Sequence, residues 1–286
     1  MRAIQQNLIG IFVSTWLLIT TTHAACLGEQ HSAKVYTFDV VPQLTAAKIY
    51  TTWSPLLQRV GHDAGLCFEL RVSATIPEFE QKLLKGEPEF VFLNPYHVVL
   101  ANQKKNYQPL LANSEDLLTG ILVVRADSPV KTLEGLKGKR ITFPAPNAFA
   151  ASLLIRAELA KKKIDITPVF VKTHSNVYRS VIGKDVIAGG GVNNTLDNEA
   201  SEVRQQLRVL YETPAYTPHP IATHPSIPAA VRERFLKAML ALTQDDEGRK
   251  LLDGINLHKP QAVTYAKHYK ILESLQLEKF LIMNAQ

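Results

Sequence analysis

The 286-residue chain has two cysteines, three methionines and two tryptophans. Two thiols cannot build a disulfide framework, and neither their spacing nor their neighbours make a metal site. Glycine and proline number 14 and 16, with no long polar low-complexity tract, which excludes collagen-like and mainly disordered chains. No dense basic cluster occurs beyond Lys161-Lys162-Lys163, so a net charge of +6 gives no reason to expect nucleic acid as a partner. Catalytic signatures are missing too: no G-x-S-x-G, H-E-x-x-H, phosphate-binding G-x-x-x-x-G-K-[ST] or G-x-G-x-x-G is present. No cofactor and no metal are therefore expected. What remains is 46% hydrophobic and 20% charged, the composition of a globular chain with one large or two moderate domains.

The first 25 residues differ from the rest. Arg2 is the only charged side chain before Glu29, and an apolar stretch from Leu8 to Ile19 follows it. Twelve residues suit the core of a secretory signal, whereas a spanning helix needs about 20. Thr22-His23-Ala24 supplies small residues at the first and third positions before a cut, so residues 1–24 are expected to be a cleaved signal peptide and the mature protein to be periplasmic. In an oxidising compartment Cys26 and Cys67 could pair; lipidation of Cys26 and two free thiols are the alternatives.

From Lys34 onward short β-rich runs alternate with helical patterns. Strands are predicted at 35–41, 67–72, 90–93, 121–124, 140–143, 169–171, 186–188 and 207–210. Between them helices are predicted near 44–60, 79–84, 96–103, 148–162, 176–182 and 195–206. This βαβ rhythm implies mostly parallel sheets flanked by helices. The C-terminal part changes character, with one strand at 221–223 and several helices. A tail of that kind must pack back on an earlier domain. The expectation is a discontinuous first lobe, 33–122 and 220–286, with a second lobe, 123–219, inserted between two crossings.

In such sheets ligands sit beyond the carboxyl ends of strands. Four strand-to-helix junctions carry helix-starting polar groups: Asn94-Pro95-Tyr96, Asn147-Ala148-Phe149, His174-Ser175-Asn176 and Gly191-Val192-Asn193. Each is an ordinary N-cap taken alone. Around one cleft, their first-turn N–H groups would make a receptor for an anion without a buried cation. Gly189-Gly190-Gly191 reads either as an anion-binding turn or as a turn needing glycine dihedrals. His219 and His224, five apart on an extended segment, point to opposite faces and do not form a metal pair.

The run Asp127-Ser128-Pro129-Val130-Lys131-Thr132-Leu133-Glu134-Gly135-Leu136-Lys137-Gly138-Lys139-Arg140-Ile141, followed by Phe143 to Ser152, then His174 with Asn176 and Val177, Ala188 to Val192, and His219-Pro220-Ile221-Ala222, resembles the phosphate/phosphite/phosphonate-type substrate-binding proteins of ABC transporters. The resemblance spans about residues 34–281. It implies an α/β, two-lobed type II periplasmic binding protein fold that closes on a small oxyanion. It also implies a monomer that delivers the ion to an ABC permease or, alternatively, presents it to a sensor histidine kinase. Carried over by position, Thr45 would donate a hydroxyl and Tyr96, beside Asn94, would cover the ligand. Asn147, Ala148, Phe149 and Ala150 would form the second lobe's helix N-terminus. His174 would hydrogen-bond an oxyanion oxygen, with Asn176 and Val192 beside it. Phe149 is either an aromatic wall or a core residue. The sequence lacks the Ser/Thr-x-Ser-Gly cluster common at that helix start and has no clearly placed acidic pair. Aminoalkyl phosphonate is therefore disfavoured, while phosphate, phosphite and other small tetrahedral ions stay open. An exported enzyme using His174 as a base would need a nucleophile or metal that the sequence does not show.

Overall fold

The structure is a computed structural model that describes residues 26–282. The expected signal peptide lies outside them. The first lobe opens with β1 (Leu27–Gly28), β2 (Val35–Val40), α1 (Ala46–Ala64), β3 (Cys67–Val72), α2 (Ile76–Lys85), β4 (Phe90–Phe92), α3 (Pro95–Lys105) and β5 (Gln108–Asn113). The second lobe holds β6 (Gly120–Arg125), β7 (Arg140–Phe143), α4 (Ile155–Lys161), β8 (Thr167–Phe170), α5 (His174–Ile182), β9 (Ala188–Val192), α6 (Asn193–Asp197), α7 (Ser201–Arg204) and β10 (Leu207–Glu212). The chain then returns to the first lobe as β11 (Pro220–Thr223), α8 (Ala229–Ala241), α9 (Asp246–Asp253) and β12 (Pro260–Ala262).

The helices begin where local chemistry tells them to. Thr45 caps α1 by accepting from Lys48 N, and Thr75, Asn94 and Thr173 do the same for α2, α3 and α5. Pro95 at the start of α3 sits where a missing N–H costs nothing. Gly65, Gly86 and Asn106 close α1 to α3 in the left-handed conformation.

The first sheet runs β1-β3-β2-β4-β11-β5-β12 and the second β10-β6-β9-β7-β8. Parallel pairing joins β2 to β3 and β4, and β7 to β8 and β9; the other pairs are antiparallel. The sheets are thus more mixed than the βαβ rhythm predicts, because each lobe gains strands at the crossings that return in the opposite sense. The expected lobe boundary at 122/123 falls inside β6, all of which pairs with β9 or β10 in the second sheet. The crossings lie side by side as a two-stranded hinge. Leu118 and Tyr216 exchange both backbone hydrogen bonds, at 2.9 and 3.0 Å, and Thr213 Oγ1 accepts from Gly120 N at 2.9 Å.

The first-lobe core is aromatic: Phe38, Phe68, Phe90 and Phe235 are fully buried and pack ring to ring with Trp53 of α1. Cys26 and Cys67 form a disulfide with Cα atoms 5.4 Å apart. The bond uses the sulfur that lipidation would need, and it pins β1 against β3.

Three expected helices take other forms. The 148–162 segment opens as a π-helical turn, Phe149–Leu154, before α4. The 195–206 segment breaks into α6 and α7. The last of the helices expected in the C-terminal part, from Tyr265 on, is instead a π-helical turn and two short 3₁₀ turns ending at Phe280. Glycines 189 to 191 lie within β9 rather than in a turn, and none has a positive φ. Their smallness serves packing: a Cβ at Gly190 would stand 2.1 Å from Ala151 O, and one at Gly191 2.4 Å from the Tyr178 hydroxyl.

Candidate functional site: a neutral cavity between the lobes

A cavity of about 110 Å³ lies where both lobes meet the hinge. Outward it opens into a mouth of about 800 Å³ that shares Gln43, Leu44, His174 and Thr195 with it. The first lobe builds one wall from the end of β2 and the loop into α1, with Val40, Val41 and Gln43. Ile49 and Trp53 of α1 and Phe92 of β4 extend it, the two rings lying 4.9 Å apart. The second lobe contributes Val192 at the end of β9, Asn194 and Thr195 of α6, and His174 at the start of α5. His219 enters from the hinge just before β11. The wider mouth continues outward past Thr45, Lys48, Ser175, Asn176 and Arg179.

Val40, Val41, Ile49, Trp53 and Phe92 make an apolar patch across from His174, Asn194 and Thr195, while Gln43, Asn113 and His219 add polar groups on the first-lobe side; the inner lining holds no Asp, Glu, Lys or Arg. His219 Nε2 lies 2.9 Å from the amide nitrogen of Gln43, and its ring stacks on Phe92. Thr195 Oγ1 lies 3.3 Å from His174 Nδ1, 2.8 Å from the Tyr178 hydroxyl and 2.9 Å from Val192 O. Burial pushes His174 down to about 4 and His219 down to about 3, the neighbouring imidazoles His97 and His174 adding to the shift of His219. Both rings are therefore neutral at neutral pH.

These lowered values set a pH dependence. Because each folded pKa lies below the unfolded value near ~6.5, the neutral rings favour the fold above that pH. Their contribution is lost progressively as pH falls from ~6.5 towards 4 and 3. Each ring withdraws up to about 1.4 kcal/mol per pH unit in that window. In urea unfolding between pH 7 and pH 5, a His174→Gln variant should show a shallower loss of stability than the parent; equal slopes would contradict a neutral His174.

The sequence-predicted residues divide into two groups. His174 and Val192 line the cavity, while Thr45 and Asn176 line its mouth. Their side chains also serve local structure: Thr45 caps α1, and Asn176 Nδ2 donates to Val171 O. Asn94, Tyr96, Asn147, Ala148, Phe149 and Ala150 do not line the cavity. They are buried where α2 and α3 meet the second lobe and the C-terminal segment. Asn94 caps α3 and donates through Nδ2 to Asn147 O. The Asn147 amide donates to Glu80 Oε2 at 2.8 Å and to Ile282 O, and accepts from Ile282 N. The Tyr96 hydroxyl donates to Glu278, and burial first, then this carboxylate, pushes it up to about 12. Phe149 packs edge-on against Tyr216 as a core residue. The physical reason is composition. Three alanines and a phenylalanine at this helix start offer surface to bury, not hydroxyls to present, and the one polar side chain turns inward to Glu80 and the C-terminal backbone.

Sequence reasoning passed over Trp53, Phe92, Asn194 and Thr195 and used His219 only as a landmark. Trp53 follows the same helical spacing as the core residues Leu56, Leu57 and Val60, so nothing in the pattern separates it from them.

Two α/β lobes are thus joined by a two-stranded hinge, with a cavity where they meet. Residues 38–269 match the family described as ABC transporter, phosphonate, periplasmic substrate-binding protein, and the chain belongs to that family. No curated protein matches the chain. Among solved structures, a binding protein component of an ABC phosphonate transporter from Pseudomonas aeruginosa is 15% identical, with 86% of each chain covered and a TM-score of 0.73. A protein from Prochlorococcus marinus in complex with methylphosphonate is 14% identical, covering 86% of this chain and 98% of its own, at a TM-score of 0.77. A Xanthomonas citri protein bound to chloride is 16% identical over 86% and 99%, at 0.68. At these identities the likeness establishes the two-lobed type II fold. Among the described residues no helix is long and apolar enough to cross a membrane, and no group of three or more His, Cys, Asp or Glu could hold a metal ion.

Proposed function

We propose that this protein, exported by the segment cut after Ala24, captures a small oxyanion in the interlobe cavity as a monomer and delivers it to an ABC permease. The observation that carries the reading is the inner end of the interlobe cleft, which presents uncharged polar groups and has no Asp, Glu, Lys or Arg in its lining. An anion there would be held by neutral donors fixed in place by the fold, which avoids the desolvation penalty of a buried ion pair. The facing apolar wall of Trp53, Phe92 and Ile49 suits a short alkyl substituent on the same ion, as in an alkylphosphonate. The wider field supports the same sign of ligand. The second lobe, residues 119–215, carries fourteen Lys or Arg against nine Asp or Glu, whereas the first lobe, residues 26–118 and 216–286, carries seventeen of each. That asymmetry favours the approach of anions to the cleft.

Thermal unfolding of the mature protein against phosphate, phosphite, methylphosphonate and an uncharged sugar tests this. A ligand that binds only the folded state stabilises it by about 2.7 kcal/mol at a hundredfold excess over its dissociation constant. A raised midpoint with at least one of the oxyanions and none with the sugar is expected. A shift with the sugar alone would overturn the anion reading.

A further inference from the structure

Away from the hinge and the cavity the two lobes touch again, and the contact converges on one side chain. Asn147 follows β7 of the second lobe and is wholly buried. Its carbonyl oxygen accepts from Asn94 Nδ2, at the end of β4 in the first lobe, at 3.2 Å. Its Nδ2 donates to Glu80 Oε2 of α2 at 2.8 Å and to Ile282 O at 3.1 Å. Its Oδ1 accepts from Ile282 N at 3.0 Å. Both amide hydrogens and the amide oxygen are therefore used, each on a distant part of the chain. The C-terminal segment adds a second tie. Its turns pack first on α3 of the first lobe, then on α4 of the second, where Leu277 is buried. Arg156 of α4 donates to Phe280 O at 2.8 Å, and the Tyr96 hydroxyl of α3 donates to Glu278 at 3.1 Å. The segment thus makes a third crossing between the lobes, outside the two hinge strands.

The ends of β4 and β7 face each other here, so lobes that rotate apart about Leu118 and Tyr216 must break the bonds from Asn94 and Glu80 to Asn147. Glu80 is 3% exposed and Asn94 2%, so a partial opening leaves polar groups without partners and without water. Such a contact is either made or fully released, which gives the lobes two positions rather than a gradual range. We propose that Glu80, Asn94, Asn147 and the segment 277–282 form a clasp that holds the lobes closed in the absence of ligand. Glu80 and Asn147 are positioning residues in this device. They line no part of the cavity, yet they set the fraction of molecules in which it is assembled. A cavity assembled beforehand loses little affinity to closure, and its occupant enters or leaves only when the clasp is released. The clasp goes beyond the oxyanion reading and is independent of which solute binds.

Small-angle X-ray scattering of the mature protein, unfolded and refolded to strip any bound solute, tests this. The parent should scatter as the closed two-lobed form. Asn147→Leu removes every hydrogen bond of that side chain, and a chain ending at Gln276 removes the third crossing. Each should show a larger radius of gyration and a longer maximum dimension, with circular dichroism unchanged because both lobes stay folded. If Asn147→Leu does not fold, the shortened chain decides; if neither folds, the parent does, by matching the closed form or exceeding it. A parent as extended as an opened two-lobed protein, or a folded variant as compact as the parent, would overturn the clasp. Because no ligand is present, neither result bears on the oxyanion reading, which stands or falls by the thermal unfolding panel.

Discussion

Replacing Glu80 by alanine is expected to destabilise the protein by about 3–5 kcal/mol, the loss usual when one member of a buried charged or hydrogen-bonded group is removed and its partners stay buried. Glu80 is 3% exposed, accepts from the Asn147 amide at 2.8 Å and pairs with His97 Nε2 at 2.8 Å. His97 is itself 1% exposed and its Nδ1 has no partner among the described residues, so without Glu80 only the Asn94 amide, 3.2 Å from its Nε2, is left beside the ring. The cost has a second component, because Glu80 belongs to the first lobe and Asn147 to the second. Asn147 also grips the C-terminal backbone at Ile282, and Arg156 of α4 reaches the carbonyls of Pro146 and Phe280 at 2.6 and 2.8 Å. Glu80 thus anchors a strap that holds both lobes and the C-terminal segment together. Urea unfolding of Glu80→Ala and Glu80→Gln should place the glutamine variant well above the alanine one. A change below about 1 kcal/mol in Glu80→Ala would show that the network is not under the strong desolvation its burial implies.

Removing the disulfide by Cys26→Ser should cost up to about 4 kcal/mol, the chain-entropy value for a closed loop of this length. The bond joins residues 41 apart in sequence and fixes the start of the described chain to β3. Without it, β1 keeps a register of only two residues, Leu27 with Phe68 and Gly28 with Cys67. Gly28 and Gly61 approach so closely that a side chain on either would clash with the other's backbone, so β1 also lies tight against α1. Equilibrium unfolding of the parent, the reduced parent and Cys26→Ser should give two equally destabilised forms. If all three coincide, the cross-link does not restrain the unfolded chain.

Much of the architecture was legible because it rests on local rules. The strands in βαβ units announce themselves by short apolar runs, and α1, α2, α3 and α5 by a capping residue before a helical stripe. The strands that sequence reasoning missed are those that long-range pairing creates. Gln108–Asn113 contains a proline and no alternation, yet it is a strand because β11 and β12 lie on either side of it. Pro260–Ala262 has only three residues, two of them exposed. The site was legible in part for the same reason. His174 and Val192 sit at strand-to-helix junctions, where chain geometry alone brings groups to the cleft. The helix start at Asn147 has the same local signature but is buried by α2, α3 and the tail, and no local pattern reveals that they converge there. Trp53 and Thr195 reach the cavity by tertiary placement and carry no motif.

That placement makes the central claim directly measurable. The sequence has two tryptophans, Trp16 and Trp53, and cleavage after Ala24 would remove the first. The emission of the mature protein then reports on the cavity wall alone. Titration with methylphosphonate should change Trp53 fluorescence to saturation at one ligand per chain, and His174→Leu should weaken that response. Calorimetric binding of the ion with no change in Trp53 emission would place the ligand elsewhere and contradict the assignment of this cavity as the binding site.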